Sequence, residues 1–180
     1  MIVIKRSDYW HFSQAIYRPG RCTRHGTSHA ATNVTKVSPA AFQAVAALQA
    51  YVDKSGLDPK LRELVKIRAS QINGCAYCLA MHTRDARKLG ETDKRMHLLN
   101  AWREAPLYSE RERAALEWTE AITLVAQGQV PDEAFEAVSK QFSEKEIVDL
   151  TMAAITINSW NRAAIAFRVP PQLDRKKAAA

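Results

Sequence analysis

The chain has 180 residues, 47% of them hydrophobic and 25% charged, with six glycines and seven prolines, which fits one folded globular domain with a real core and excludes fibrous or low-complexity classes. No apolar run approaches the roughly 20 residues needed to cross a bilayer, and the N-terminal "MIVIKRSDYWHFSQ" lacks the apolar segment of a secretory signal, so a soluble cytoplasmic protein without a membrane partner is expected. The formal charge of +7 lies at the ends: residues 1–36 carry six Lys/Arg against one Asp, residues 174–180 carry three against one, and residues 37–173 hold seventeen of each sign. A neutral body with basic tails offers no groove-reading element, and nucleic acid is not expected as a partner.

Residues 1–36 are poor in acids and hold no sustained apolar period, so they are expected to form a loosely structured tail, a targeting segment or the product of a misplaced start. Cys22 lies there with His11, His25 and His29, at spacings that match no zinc pattern. A helical domain is expected over 37–170 and a short tail over 171–180.

Helix signals then follow one another closely. Ser38 and Pro39 form a cap and first position for a helix ending near Ser55-Gly56, and Asp58 and Pro59 repeat the device for a second that stops at Asn73-Gly74. In this second helix Leu61, Leu64, Val65 and Ile72 share a face, Arg62 and Lys66 mark a solvated side, and Glu63 lines up with Ile67 and Ser70. Arg68 falls inside the apolar stripe, where its charge must be paired or reach water. A third helix runs from about Cys75 to Leu89 and a fourth from Thr92, carrying Met96, Leu99 and Trp102. Ser109-x-x-Glu112 opens a fifth through Val125, Pro131 starts a short sixth, and Ser143-x-x-Glu146 opens a seventh containing "IVDLTMAAITINSWNRAAIAF". The expectation is an all-α, compact bundle of about seven helices. The last helix is apolar around more than one face, more surface than one small bundle covers, which implies a homo-oligomer.

The chemistry concentrates in "INGCAYCLAMH", residues 72–82. Cys75 and Cys78 follow a helix-ending Asn-Gly and so stand in the first turn of a new helix, where unsatisfied N–H groups and the helix dipole favour a thiolate. Their i,i+3 spacing lets the sulfurs meet as a disulfide, and His82 lies one turn beyond Cys78, within reach for proton exchange. A c-type haem would need the histidine at Leu79 and is excluded. Three readings stay open: a redox dithiol; a zinc site of Cys75, Cys78 and His82 with a fourth ligand such as His97; and two small buried residues that happen to be cysteines. On the last helix Asn158, Asn161 and Arg162 fall near the Ile147/Ala154/Ile165 stripe, which makes them candidates, with Tyr77, for a substrate-pocket wall, or for pairing with neighbouring helices. Trp160 is expected to pack.

The segments "LRELVKIRASQINGCAYCLAMHTRDARKLGE", "AWREAPLYSERERAALEWTEAITLV" and "INSWNRAAIAFR" resemble the AhpD-like branch of the carboxymuconolactone decarboxylase superfamily over roughly residues 36–170. The most specific match is the E-x11-C-x2-C-x3-H spacing of Glu63, Cys75, Cys78 and His82. The resemblance implies an all-α homo-oligomer, often a trimer or hexamer, and a thiol-dependent peroxidase with disulfide-exchange activity that needs no cofactor and no metal. It assigns Cys78 as the cysteine attacked by hydroperoxide, Cys75 as the resolving thiol, and Glu63 and His82 as a proton relay. The helix-dipole argument alone points instead to Cys75 as the nucleophile. An external dithiol, a lipoylated protein or a peroxiredoxin partner, would reopen the disulfide. The chain departs from the best-known alkylhydroperoxidases at Tyr77, where they carry a histidine between the cysteines. That loss shortens the relay and makes a dithiol oxidoreductase or peroxiredoxin-recycling role the alternative; the decarboxylases of the superfamily lack the cysteine pair.

Overall fold

The computed structural model describes residues 32–171. They form α1 (Val34–Val37), α2 (Pro39–Lys54), α3 (Pro59–Asn73), α4 (Ala76–Lys88), α5 (Asp93–Leu98) with a 3-10 turn at Leu99–Ala101, α6 (Glu110–Thr123), α7 (Val125–Gly128), α8 (Asp132–Gln141) and α9 (Glu144–Ala166), with no strand among the described residues. The seven expected helices are all present, joined by the one-turn α1 and α7. The tail residues 1–31 and 172–180, with Cys22, His11, His25 and His29, lie outside the described residues.

The caps act as the sequence suggests. Asp58 accepts a hydrogen bond from the Leu61 N–H with Pro59 at the first position of α3, and Ser109–Glu112 and Ser143–Glu146 are complete capping boxes. Three boundaries differ. The helix begun at Thr92 ends at Leu98 and tightens into the 3-10 turn, so Trp102 sits at the cap of that turn and not on the helix. The long helix ends at Thr123, and Leu124 separates it from α7. Cys75 stands at the N-cap of α4, one residue before the first turn, in an extended conformation.

Helix α3 is the central element, packed against α4, α6 and α9. It is buried on nearly every side, at Leu61, Glu63, Leu64, Val65, Lys66, Ile67, Ala69 and Ser70. The solvated side expected at Arg62 and Lys66 is therefore absent. Lys66 is 3% exposed, and Arg62 is half-buried with its guanidinium on the Val52 carbonyl. Arg68 meets the requirement set by its place in the stripe: its Nε donates to Glu120 Oε1 at 2.6 Å, and its guanidinium also reaches Gln71 and Asn100.

The apolar core divides in three. One cluster joins α2, α3, α6, α8 and α9 around Leu61, Val65, Trp118, Val138 and Leu150, and a second joins α3, α4 and α6 to the Met96–Trp102 segment. The third is small and gathers Ala69, Cys75, Tyr77, Cys78, Ile157 and Ala164, so the cysteine pair is part of the packing between α3, α4 and α9. No helix among the described residues is long and apolar enough to cross a membrane.

Candidate active site

The turn from α3 into α4 is made by Gly74, whose φ of 69° and ψ of 30° are left-handed, a conformation open to glycine at little cost. It reverses the chain and delivers Cys75 to the start of α4. The Cys75 sulfur then accepts the backbone N–H of Cys78 at 3.3 Å, so a cysteine takes the capping role usually held by serine or aspartate. Both cysteines are free thiols, each 1% exposed, and their sulfurs are hydrogen-bonded at 2.7 Å. A shift of less than about 1 Å would bring them to the ~2.05 Å of a disulfide.

The two sulfurs are not equivalent. A hydrogen bond from the Cys78 thiol, opposed by burial and aided by the Cys78 and Tyr77 backbone N–H groups and the Asn161 amide, lowers Cys75 from 9.0 to about 7. The same hydrogen bond raises Cys78 well above the ordinary thiol range, with burial and the charge on Cys75 adding to it. The reduced pair thus carries its negative charge on Cys75 and its proton on Cys78. Tyr77, between them, is pushed up to about 12 by burial and the neighbouring sulfur charge, and it remains a neutral phenol.

Behind the thiols lies a chain of amides. Asn73, the last residue of α3, donates through Nδ2 to Asn158 Oδ1 at 2.8 Å and Asn161 Oδ1 at 2.9 Å. Asn161 donates to Ser70 Oγ at 3.0 Å, and its amide favours the thiolate form of both cysteines. Asn158 ties the group to Thr123 of α6 at 3.0 Å, and Arg162, itself exposed, closes the outer end on Asn158 Oδ1 at 2.8 Å. Asn158 and Asn161 are thus linked through Asn73 and tied to neighbouring helices, while Arg162 holds Asn158 of its own helix. Ile165 is 48% exposed and does not belong to an inward stripe with Ala154. Trp160 packs against Phe42, ring centroids 5.4 Å apart.

On the facing side, Glu63 of α3 meets His82 of α4, Oε2 to Nδ1, at 2.8 Å, and Lys66 donates to the other oxygen, Oε1, at 2.9 Å. Glu63 and His82 are 7% and 3% exposed. Burial alone would raise the Glu63 carboxyl, but the charges of Lys66 and His82 and the hydrogen bonds from both bring it down to about 2. His82 follows Cys78 by one helical turn, and with Nδ1 on Glu63 its Nε2 is the nitrogen left for exchange.

The structure therefore gathers Cys75 with Cys78, and Glu63 with His82, in two adjoining pairs. It separates His97, which is exposed on α5, and among the described residues no three His, Cys, Asp or Glu side chains stand together as a metal shell. The sequence pattern alone marks Lys66 as a surface lysine and Asn73 only as a helix stop, whereas the structure brings both into the site. The i,i+3 step from Glu63 to Lys66 was the available signal for the first.

Residues 39–121 match the carboxymuconolactone decarboxylase family. The chain is 45% identical over 131 residues to the uncharacterized protein YdfG of Bacillus subtilis, covering 73% of this chain and 89% of YdfG. It is 32% identical over 120 residues to the uncharacterized protein YnjA of Escherichia coli, covering 66% of this chain and 65% of YnjA. Among crystal structures it resembles a protein of unknown function from Agrobacterium tumefaciens, described as a candidate antioxidant defence protein AhpD. That match has 44% identity and a TM-score of 0.78 over 81% of this chain and 100% of the other.

Proposed function

From the premise that the chain belongs to the AhpD-like branch of the carboxymuconolactone decarboxylase family, we propose that it is a thiol-dependent peroxidase working through a Cys75–Cys78 disulfide. The observation that carries this reading is the pair of free, buried sulfurs 2.7 Å apart beside a buried Glu63–His82 couple. Cys78 sulfur attacks the terminal oxygen of the hydroperoxide, the O–O bond breaks, and the alkoxide or hydroxide leaves with a proton supplied by way of His82, as alcohol or water. The Cys78 proton passes to Cys75 along the hydrogen bond between the sulfurs. Cys75 sulfur then attacks the Cys78 sulfenic acid, whose hydroxyl leaves with that proton as water, and the disulfide closes. Each cycle oxidises two thiols to one disulfide and reduces one hydroperoxide. An external dithiol, such as a lipoylated protein or a peroxiredoxin partner, returns the two electrons.

Exposure of 1% at each cysteine favours a small hydroperoxide over a folded protein disulfide as the first oxidant. His82 Nδ1 is engaged by Glu63, and His97 forms no ligand group with the cysteines and His82 among the described residues, which weighs against the zinc alternative. Exposed Val148, Ile155 and Ile165 along α9 support assembly into a homo-oligomer such as a trimer or hexamer.

A second order of events is favoured by the place of Cys75 at the N-cap of α4, where its sulfur accepts the Cys78 backbone N–H and a thiolate is stabilised, so that Cys75 makes the first attack and Cys78 resolves. Trapping sulfenic acid with dimedone in C75S and C78S, after one equivalent of peroxide, separates the two. An adduct on Cys78 in C75S supports the first order, and an adduct on Cys75 in C78S supports the second. A reduced wild-type protein that neither consumes peroxide nor loses two hydrogens by intact mass overturns the peroxidase reading and leaves dithiol–disulfide exchange as the activity to assay.

A further inference from the structure

Lys66 is a lysine buried to 3% exposure in the central helix, and it takes no part in the chemistry described above. An ammonium in such a place must be compensated, and its compensation is Glu63 Oε1 at 2.9 Å. The other oxygen of the same carboxylate receives His82 Nδ1 at 2.8 Å. Glu63 is therefore held at both ends, by a fixed positive charge from its own helix and by an imidazole from α4. The charged groups that act on it most strongly are these two. From α9 the neutral amides Asn158 and Asn161 bond Asn73 and Ser70 of α3, the cysteine pair lies at the start of α4 one turn before His82, and the α6 carboxylate Glu120 is taken up by Arg68, Trp102 and Arg103.

We propose that Lys66 is a positioning residue of the proton relay: its buried ammonium keeps Glu63 a permanent carboxylate, so that Glu63 orients His82 and does not itself carry the transported proton. The inference rests on the peroxidase reading and deepens it, because it reduces the relay to one mobile station. Two carboxylate oxygens, one ammonium and one Nδ1–H leave Glu63 no cause to accept a proton while Lys66 is present. The imidazole is fixed with Nδ1 on the carboxylate and Nε2 free, the arrangement in which a carboxylate selects the tautomer of a working histidine. Take the ammonium away and the buried carboxylate loses its opposing charge, so burial favours its protonated form. A protonated Glu63 would then offer a hydrogen to Nδ1 and turn the tautomer preference over.

The test uses full-length protein labelled with carbon-13 at the glutamate carboxyls, the Glu63 signal being assigned by its loss in E63Q. In the wild type and in K66R, which keeps the charge, that signal is expected to stay at its ionised position from pH 7 down to pH 4. In K66M, which keeps the stem and removes the charge, it is expected to titrate inside that range. The pH profile of peroxide consumption, with dihydrolipoamide as reductant, should lose its acidic side in K66M by a matching shift and recover it in K66R. Should K66M fail to fold, K66Q, which can still donate to Glu63 but brings no charge, gives the same two readouts. A Glu63 signal unmoved in the neutral variants overturns the proposal, as does a moved signal with an unchanged pH profile. The carboxyl signal is read with no substrate present, so a wild type that consumes no peroxide overturns the peroxidase reading separately.

Discussion

Replacing Cys78 with alanine removes the largest influence on Cys75, the hydrogen bond its sulfur accepts from the Cys78 thiol. A hydrogen bond to a charged group contributes roughly 1.5–3 kcal/mol, and at ~1.36 kcal/mol per pH unit that is about one to two units. The backbone N–H of residue 78 survives the substitution, and so does the Asn161 amide, while burial still opposes the charge. Cys75 should therefore move from about 7 to roughly 8–9. At pH 7 the thiolate fraction falls from about one half to between roughly 1% and 10%, and alkylation of Cys75 by iodoacetamide slows about five- to fifty-fold. Peptide-resolved mass spectrometry over pH 5–10 reads this while keeping Cys22 apart. The same proton displacement has an equilibrium counterpart. Cys75 is lowered, so its contribution to the stability of the reduced protein is present above 9.0 and is lost as pH falls through about 7. Cys78 is raised, so its contribution runs the other way and is lost above 9.0. Relative to C75A/C78A, reduced wild-type stability should rise from pH 7 to pH 9 and then decline. A Cys75 alkylation midpoint in C78A that stays within a few tenths of a unit of wild type refutes the account of the pair.

Two further predictions concern the frame around the site. E120A removes the carboxylate that accepts from Arg68 at 2.6 Å, Trp102 at 2.8 Å and Arg103 at 2.5 Å, and it leaves the half-buried Arg68 without its counter-charge. About 3–5 kcal/mol is expected, read as a lower urea midpoint at unchanged slope, with E120Q losing less. G74A meets nothing within 4 Å, so its cost is the left-handed backbone alone, about 1 kcal/mol by the same measurement; a loss several times larger would mean that the turn also sets the sulfur geometry.

Much of the fold was legible because its punctuation is local. Asp58-Pro59, Asn73-Gly74, Ser109-x-x-Glu112 and Ser143-x-x-Glu146 state where backbone donors and acceptors are satisfied, and no distant contact overrules them. The boundary at Trp102 was not legible, since the tightening into a 3-10 turn follows from burying Leu99 and Trp102 against α3, α4 and α6, a tertiary demand. The spacing of Glu63, Cys75, Cys78 and His82 gave the candidate site, but its charges could not be read the same way. Lys66 has the sequence signature of a solvated lysine next to Arg62, and only the near-complete enclosure of α3 shows that it faces inward. Asn73 likewise reads as a stop signal, and its grip on Asn158 and Asn161 depends on α9 arriving from 85 and 88 positions away.

The E-x11-C-x2-C-x3-H spacing itself has a geometric cause. Helices α3 and α4 form a hairpin about Gly74, so positions at similar rise from the turn come face to face. Glu63 stands ten residues before the end of α3, about 15 Å of rise, and His82 seven residues after Cys75, about 10.5 Å, a difference that the crossing of the helices and the length of a glutamate side chain can span. One residue added to α3 between Glu63 and Asn73 would turn the carboxylate about 100° around the helix and away from α4, with both cysteines left in place. The thiols need only the turn and the helix start, whereas the relay needs the register of both helices and the buried charge of Lys66. The central, enclosed position of α3 follows from this division: a helix that had only to present Cys75 could expose one face, but one that carries Glu63 and Lys66 to a buried imidazole must be covered on that side too.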